Sequence, residues 1–242
     1  ILIAIPVLAV VVYFGLPRAL TMMGLHPHYD IPEFDLAGKR ALVITTSQGT
    51  LGDGGKATGV FGSEMSVPYF AFLDAGMEVD IASIKGGEIP VEPYSMGWPL
   101  GTEADYRFKK DTVAMAKLTN SISVSDVDIT KYDAIFLSGG WGAAYDFAQS
   151  EDLAGLVTAA NADSDVIGSV CHGALGLVNA KDIDGTPLIE GRTVTGVTDT
   201  QIEQLGISMT PKHPETELRA AKANYEASTA FRDMFATHVS VD

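Results

Sequence analysis

Residues 165–173 read DVIGSVCHG, a short apolar run that ends in a cysteine set between Ser169 and Gly173. The run has the length and β-branched content of a buried strand, and residues 172–179 (HGALGLVN) read as the helix that follows it. A strand that turns at once into a helix brings two backbones close together. It therefore needs small residues two positions before and two positions after the turning residue. Ser169 and Gly173 meet that demand around Cys171, which reads as the nucleophile of an elbow at the carboxyl end of a strand. The dipole of the following helix is expected to lower the thiol pKa and favour thiolate.

Outward from this elbow the pattern repeats. Short apolar runs lie at 40–46 (RALVITT), 78–83 (EVDIAS), 133–138 (DAIFLS) and 192–197 (RTVTGV), and helical stretches at 63–75, 106–118 and 150–162. Strands alternating with helices, joined by right-handed crossovers, predict an α/β fold with a doubly wound, mostly parallel sheet and helices on both faces. Ligands in such folds sit beyond the carboxyl ends of the strands.

Composition narrows the function. The 242 residues suffice for one domain plus an appendage and for a substantial core. With 16 Lys+Arg against 31 Asp+Glu, a net charge of −15, the chain has no basic patch for phosphate backbones, so no nucleic acid partner is expected. Its single cysteine excludes an internal disulfide and a Cys-based zinc cluster. No cofactor and no metal are expected. The His26-x-His28 pair has no third ligand nearby in sequence and reads as part of a solvated linker.

The first 17 residues (ILIAIPVLAVVVYFGLP) are uncharged, and Arg18 is the sole charged residue before Asp30. This run predicts an N-terminal apolar anchor helix over residues 1–20, incomplete because the chain opens on Ile, with membrane attachment on an undetermined side. No convincing small-x-small cleavage site follows it. Residues 21–38 read as a linker, and 39–242 as the domain.

Two further strand ends carry motifs. Residues 47–58 (SQGTLGDGGKAT) are glycine-rich but fail the P-loop pattern, and their loose G-x-G-x-x-A match lies ahead of the helical pattern that starts near Ser63, so a flexible loop over the site is expected instead. Residues 138–142 (SGGWG) place Gly139 and Gly140 where backbone N–H groups can face a ligand as an oxyanion hole, with Trp141 beside them as a wall of the pocket or a core residue. Glu64 falls in the first turn of a predicted helix, a position that serves dipole pairing as readily as chemistry. His213, His238 and Trp98 read as loop or packing residues.

Together, residues 58–64 (TGVFGSE), 138–142, 170–173 (VCHG) and 187–196 (PLIEGRTVTG) resemble the ThiJ/PfpI superfamily, most nearly its glyoxalase III-like, chaperone-associated branch, related in fold to class I glutamine amidotransferase domains. The resemblance covers roughly residues 39–242 and implies a flavodoxin-like fold. It implies that Cys171 is the nucleophile, His172 its adjacent acid/base and Glu64 a proton shuttle at the sulfur, with an anion site near Gly140, His172 and Gly173. The implied activity is a cysteine-dependent, glutathione-independent glyoxalase or deglycase acting on methylglyoxal and similar dicarbonyls. Alternatives are an amidase, peptidase or glutamine amidotransferase-like hydrolase, and a redox-sensing chaperone without enzymatic activity. Relatives are often dimers, so a homodimer is a possible assembly. Two departures stand out. Ile202 occupies the position expected of a carboxylate that orients the histidine, leaving Glu203 or Asp199 as substitutes. The ending at 238–242 (HVSVD) looks like the entry to a further turn, strand and helix, so a truncated, marginally stable domain is expected.

Overall fold

Along strand β1 (Arg40–Thr45) successive side chains point to opposite faces, and both faces are buried: Leu42 and Ile44 enter one hydrophobic cluster, Ala41 and Val43 another. The sheet is thus the middle of three layers. The computed structural model describes residues 4–25, 32–163, 165–207, 209–229 and 236–242, with side chains from residue 8 onward. His26 and His28 lie outside the described residues. The main sheet is wholly parallel and ordered β3-β2-β1-β4-β5, with β2 at Glu78–Ser83, β3 at Ile122–Ser123, β4 at Ala134–Leu137 and β5 at Val166–Ser169. Leaving aside the two-residue β3, the order β2-β1-β4-β5 follows the start of the flavodoxin-like arrangement.

One face is covered by helices α2 (Gly62–Asp74), α3 (Glu103–Phe108) and α4 (Thr112–Thr119), which bury Met65, Tyr69, Phe70, Phe108 and Ala114 against Val43, Val79 and Ile81. The other is covered by α5 (Ala143–Asp146), α6 (Glu151–Ala162) and a 3₁₀ helix at Cys171–Leu177, with Leu153, Val157 and Leu175 against Leu42, Ile135 and Leu137. The register pairs Ile44 with Leu137 and Leu137 with Ser169, so the carboxyl ends of β1, β4 and β5 finish side by side.

Several expectations change. The single helix expected over 106–118 is two helices: a Thr102–Asp105 capping box starts the first, and the Asp111 carboxylate accepts the Val113 and Ala114 N–H groups to start the second. The run at 192–197 does not join the main sheet. Its residues Thr193–Val194 form β6, paired in parallel with β7 (Asn224–Tyr225) in a separate two-stranded sheet, and helices α7 (Asp199–Leu205) and α8 (Pro214–Ala220) lie between them in sequence.

The membrane anchor is overturned, and with it the membrane partner and membrane localisation. Among the described residues, no helix is long and apolar enough to cross a membrane. The first helix, α1 (Ala4–Met22), contains Pro17 and the charged Arg18, whose guanidinium donates to the Phe14 carbonyl. The helix also touches the domain: the Tyr13 ring stacks on Trp98 at 5.7 Å, and Trp98 Nε1–H donates to the Tyr13 carbonyl.

Asp80 joins β1, β2 and α4 at the amino ends of the strands. Its carboxylate accepts from Lys117 Nζ at 2.6 Å, Arg40 Nη2 at 2.8 Å and the Tyr132 hydroxyl at 3.0 Å. Burial alone would raise this carboxyl, but Lys117, Arg40 and Tyr132 together hold it below the ordinary value. Asp80→Asn is expected to cost about 1–3 kcal/mol, which lowers the melting temperature by roughly 3–10 °C. Because the depressed pKa contributes stability above the ordinary carboxyl range, the loss should shrink as pH falls toward 3, and thermal melts of both proteins at pH 7 and pH 3 check it.

Candidate active site

Three carboxyl strand ends supply the site. After β5 the chain turns at Cys171, whose φ of 56° lies in the left-handed region that side chains rarely occupy. Gly173 permits the turn, because a Cβ there would enter the Leu137 carbonyl. The turn opens a seven-residue 3₁₀ segment rather than the α-helix expected, and the nearby donors are individual N–H groups: those of His172 and Gly140 point at the sulfur.

After β4, Gly139 and Gly140 (φ 94°) pass between the elbow and the segment that follows the glycine-rich loop. A Cβ on Gly139 would lie 2.8 Å from both the His172 nitrogen and the Val170 oxygen and would also strike the Glu64 carboxylate; on Gly140 it would strike the backbone of residues 59–61. After β1, helix α2 brings Glu64 to the same point, where its carboxyl meets the Cys171 thiol and the N–H groups of Gly139 and Gly140. Glu64 Oε2 is buried without a hydrogen-bond partner among the described residues.

The protonation states follow from burial. It drives the Glu64 carboxyl up to about 8, against the pull of the Cys171 and Gly139 hydrogen bonds, so this acid carries its proton at neutral pH. The Cys171 thiol is pushed well above its ordinary value, first by burial and then by Glu64, and the His172 and Gly140 N–H groups offset only part of this. The depressed thiol pKa expected from a helix dipole is therefore corrected: the resting group is a thiol. Burial drives the His172 ring down to about 3, with His213 adding to the effect, so the imidazole is neutral at rest. Its Nδ1 lies 3.4 Å from the sulfur, and the Trp141 ring packs over it with centroids 4.8 Å apart.

The structure thus brings together Cys171, His172, Glu64, Gly139, Gly140, Trp141 and Gly173. It does not bring in the orienting acid. Glu203 is exposed on α7, and Asp199 turns to His213 Nδ1 at 3.7 Å and to the Thr216 hydroxyl at 2.7 Å, while His172 Nε2 is buried without a partner among the described residues. Sequence reasoning missed Glu92, which bonds the Trp141 backbone, and His213, which flanks His172 electrostatically. Glu92 sits in a Pro-Val-Glu-Pro loop that has no periodicity to point it inward. The glycine-rich loop is closed by a Thr50–Ala57 bridge and tied by Gly52 N–H to the Tyr145 hydroxyl at 3.0 Å. Among the described residues no group of three or more His, Cys, Asp or Glu could hold a metal.

A parallel sheet with this strand order, a cysteine in a left-handed elbow and an acid from the first sheet-covering helix define a cysteine-centred α/β class. The DJ-1/PfpI family model matches residues 56–233, and the chain belongs to that family. Glyoxalase 3 of Candida albicans is 30% identical over 180 residues, covering 70% of this chain and 73% of its own, and the glutathione-independent glyoxalase HSP31 of Saccharomyces cerevisiae is 32% identical over 179 residues, covering 71% and 74%. Among solved structures, the Rapid Encystment Protein 24 KDa of Francisella tularensis superposes with a TM-score of 0.75 at 34% identity, covering 80% of this chain and 85% of its own. Glyoxalase III of Candida albicans gives 0.71 at 26% identity, covering 80% and 88%.

Between pH 4.5 and about 8 the folded protein holds a Glu64 proton that the unfolded chain releases, so stability falls as pH rises through this window. Glu64→Gln removes that loss. Its melting temperature should be close to that of the parent near pH 5 and exceed it by ~5 °C or more at pH 8 to 9. A gain independent of pH would contradict the assignment.

Proposed function

We propose that this chain is a glutathione-independent glyoxalase of the glyoxalase III type, converting methylglyoxal and similar small 2-oxoaldehydes to 2-hydroxy acids. The observation that carries the reading is the convergence of a proton-bearing carboxyl, Glu64, and a neutral imidazole, His172, on one thiol. The names of the relatives at 30–34% identity support it.

The proton inventory suits an internal redox exchange between adjacent carbons. As Sγ bonds to the aldehyde carbon, the thiol proton passes to His172 Nδ1 and Glu64 gives its proton to the aldehyde oxygen, forming a hemithioacetal. The Glu64 carboxylate then removes the hydrogen from that carbon, and His172 protonates the neighbouring ketone oxygen to give an enediol. Reprotonation by Glu64 at the second carbon, with loss of the first hydroxyl proton to His172, leaves a thioester. Water adds to the thioester carbonyl and gives one proton to Glu64, His172 gives the proton it holds to the leaving sulfur, and the second water proton stays on the carboxylic acid formed, which ionises on release. Methylglyoxal plus water thus becomes lactate, and all three residues regain their starting states. In this reading the N–H groups of Gly140 and His172, which meet the Cys171 sulfur at rest, stabilise charge on the oxygen of the first carbon once the sulfur has bonded to it.

Amide hydrolysis is the weaker reading, because it gives a proton-bearing acid beside the sulfur no evident task. Lactate formation from methylglyoxal without glutathione is the test. Cys171→Ser should lower it by more than about 10³-fold and Glu64→Gln by about 10²–10⁴-fold. Undiminished turnover by the Cys171 variant, or ammonia release from glutamine with no dicarbonyl turnover, would overturn the proposal.

A further inference from the structure

Three chain segments meet behind the oxyanion glycines: 58–61, 90–92 and 139–142. Backbone bonds join the first two, Val60 N–H to the Pro90 carbonyl and Glu92 N–H to the Val60 carbonyl, both at 2.9 Å. Gly142 N–H reaches the Gly59 carbonyl only at 3.3 Å. A second tie to the third segment is a side chain. Glu92 Oε1 accepts from the Thr58 hydroxyl at 2.5 Å and from the Trp141 N–H at 3.2 Å, and the Gly59 N–H also bonds this carboxylate. One half-buried acid therefore fixes residue 141, and the residues it fixes are Gly140, whose N–H points at the Cys171 sulfur, and Trp141, whose ring covers His172. Loops need such ties, since their backbone groups have no ladder to hold them.

We propose that Glu92 is a positioning residue of this site: by clamping Thr58 and Gly59 to Trp141 it holds the Gly140 N–H on the Cys171 sulfur and the Trp141 indole on the His172 ring. The inference rests on the proposed activity only for its kinetic arm. Because the Thr58 and Trp141 bonds both end on Oε1, a glutamine can accept them with its amide oxygen, whereas an alanine cannot. The groups that face one another here are Glu92 with Glu64, Glu64 with Cys171, Cys171 with His172, and His172 with His213.

Cys171 is the chain's single cysteine, so its alkylation by iodoacetamide reads the site without any substrate. Losing an N–H bond that favours the thiolate raises the thiol pKa. In folded Glu92→Ala, verified by near-ultraviolet circular dichroism, the alkylation profile should move to higher pH by about half a unit or more, and kcat/KM for methylglyoxal should fall ~10-fold or more. Glu92→Gln should keep the parent profile. An unshifted profile in Glu92→Ala, or a Glu92→Gln variant shifted as far as the alanine, would overturn the proposal. A parent protein that forms no lactate, yet whose alanine variant shows the alkylation shift, would refute the glyoxalase reading and leave the clamp standing.

Discussion

The absence of a side chain at residue 173 is the constraint on which the site depends. The elbow runs so close to the end of β4 that a single added carbon would occupy the Leu137 carbonyl, and this closeness forces Cys171 into a left-handed conformation. From that conformation the sulfur faces the gap between the ends of β4 and β5, where Gly139 and Gly140 supply N–H groups and helix α2 supplies an acid. A relaxed elbow would carry the thiol away from both. The register that aligns Ile44, Leu137 and Ser169 makes the arrangement possible, so the core on the two sheet faces is also what sets the geometry of the site.

Electrostatically the site rests on shared burial rather than on opposite charges. An acid, a thiol and an imidazole are packed out of water together, and burial disfavours the charged form of each, so at rest the acid and thiol keep their protons and the imidazole stays neutral. The resting site is close to neutral, with two protons to give and one vacancy to take them. In the proposed reaction, charge arises only when a carbonyl enters, in surroundings whose N–H donors already face the sulfur.

Much of this was legible in the sequence. The Ser169-x-Cys171-x-Gly173 spacing, the glycines after β4 and the βα alternation each answer a local steric demand that leaves a mark on residue choice. The rest depended on long-range packing. Nothing local distinguishes β3, two residues long, from a loop, and residues 192–197 satisfy a strand pattern without revealing that their partner is β7. Glu92 and His213 reach the site through loops, where side-chain direction follows no period. The apolar start suggested a membrane span on hydropathy alone, which weighs neither the Pro17-Arg18 interruption nor the contact of Tyr13 with Trp98. The thiol pKa departs from the sequence expectation because a dipole argument counts donors and omits the burial that opposes them.

The two tryptophans divide the chain's intrinsic fluorescence between separate events. Trp98 stacks on Tyr13 and is a probe of how the first helix sits on the domain, whereas Trp141 lies over the His172 ring. An imidazolium quenches a neighbouring indole and a neutral imidazole does so far less. With His172 neutral at rest, the Trp141 signal becomes an optical record of the moment at which that ring takes a proton.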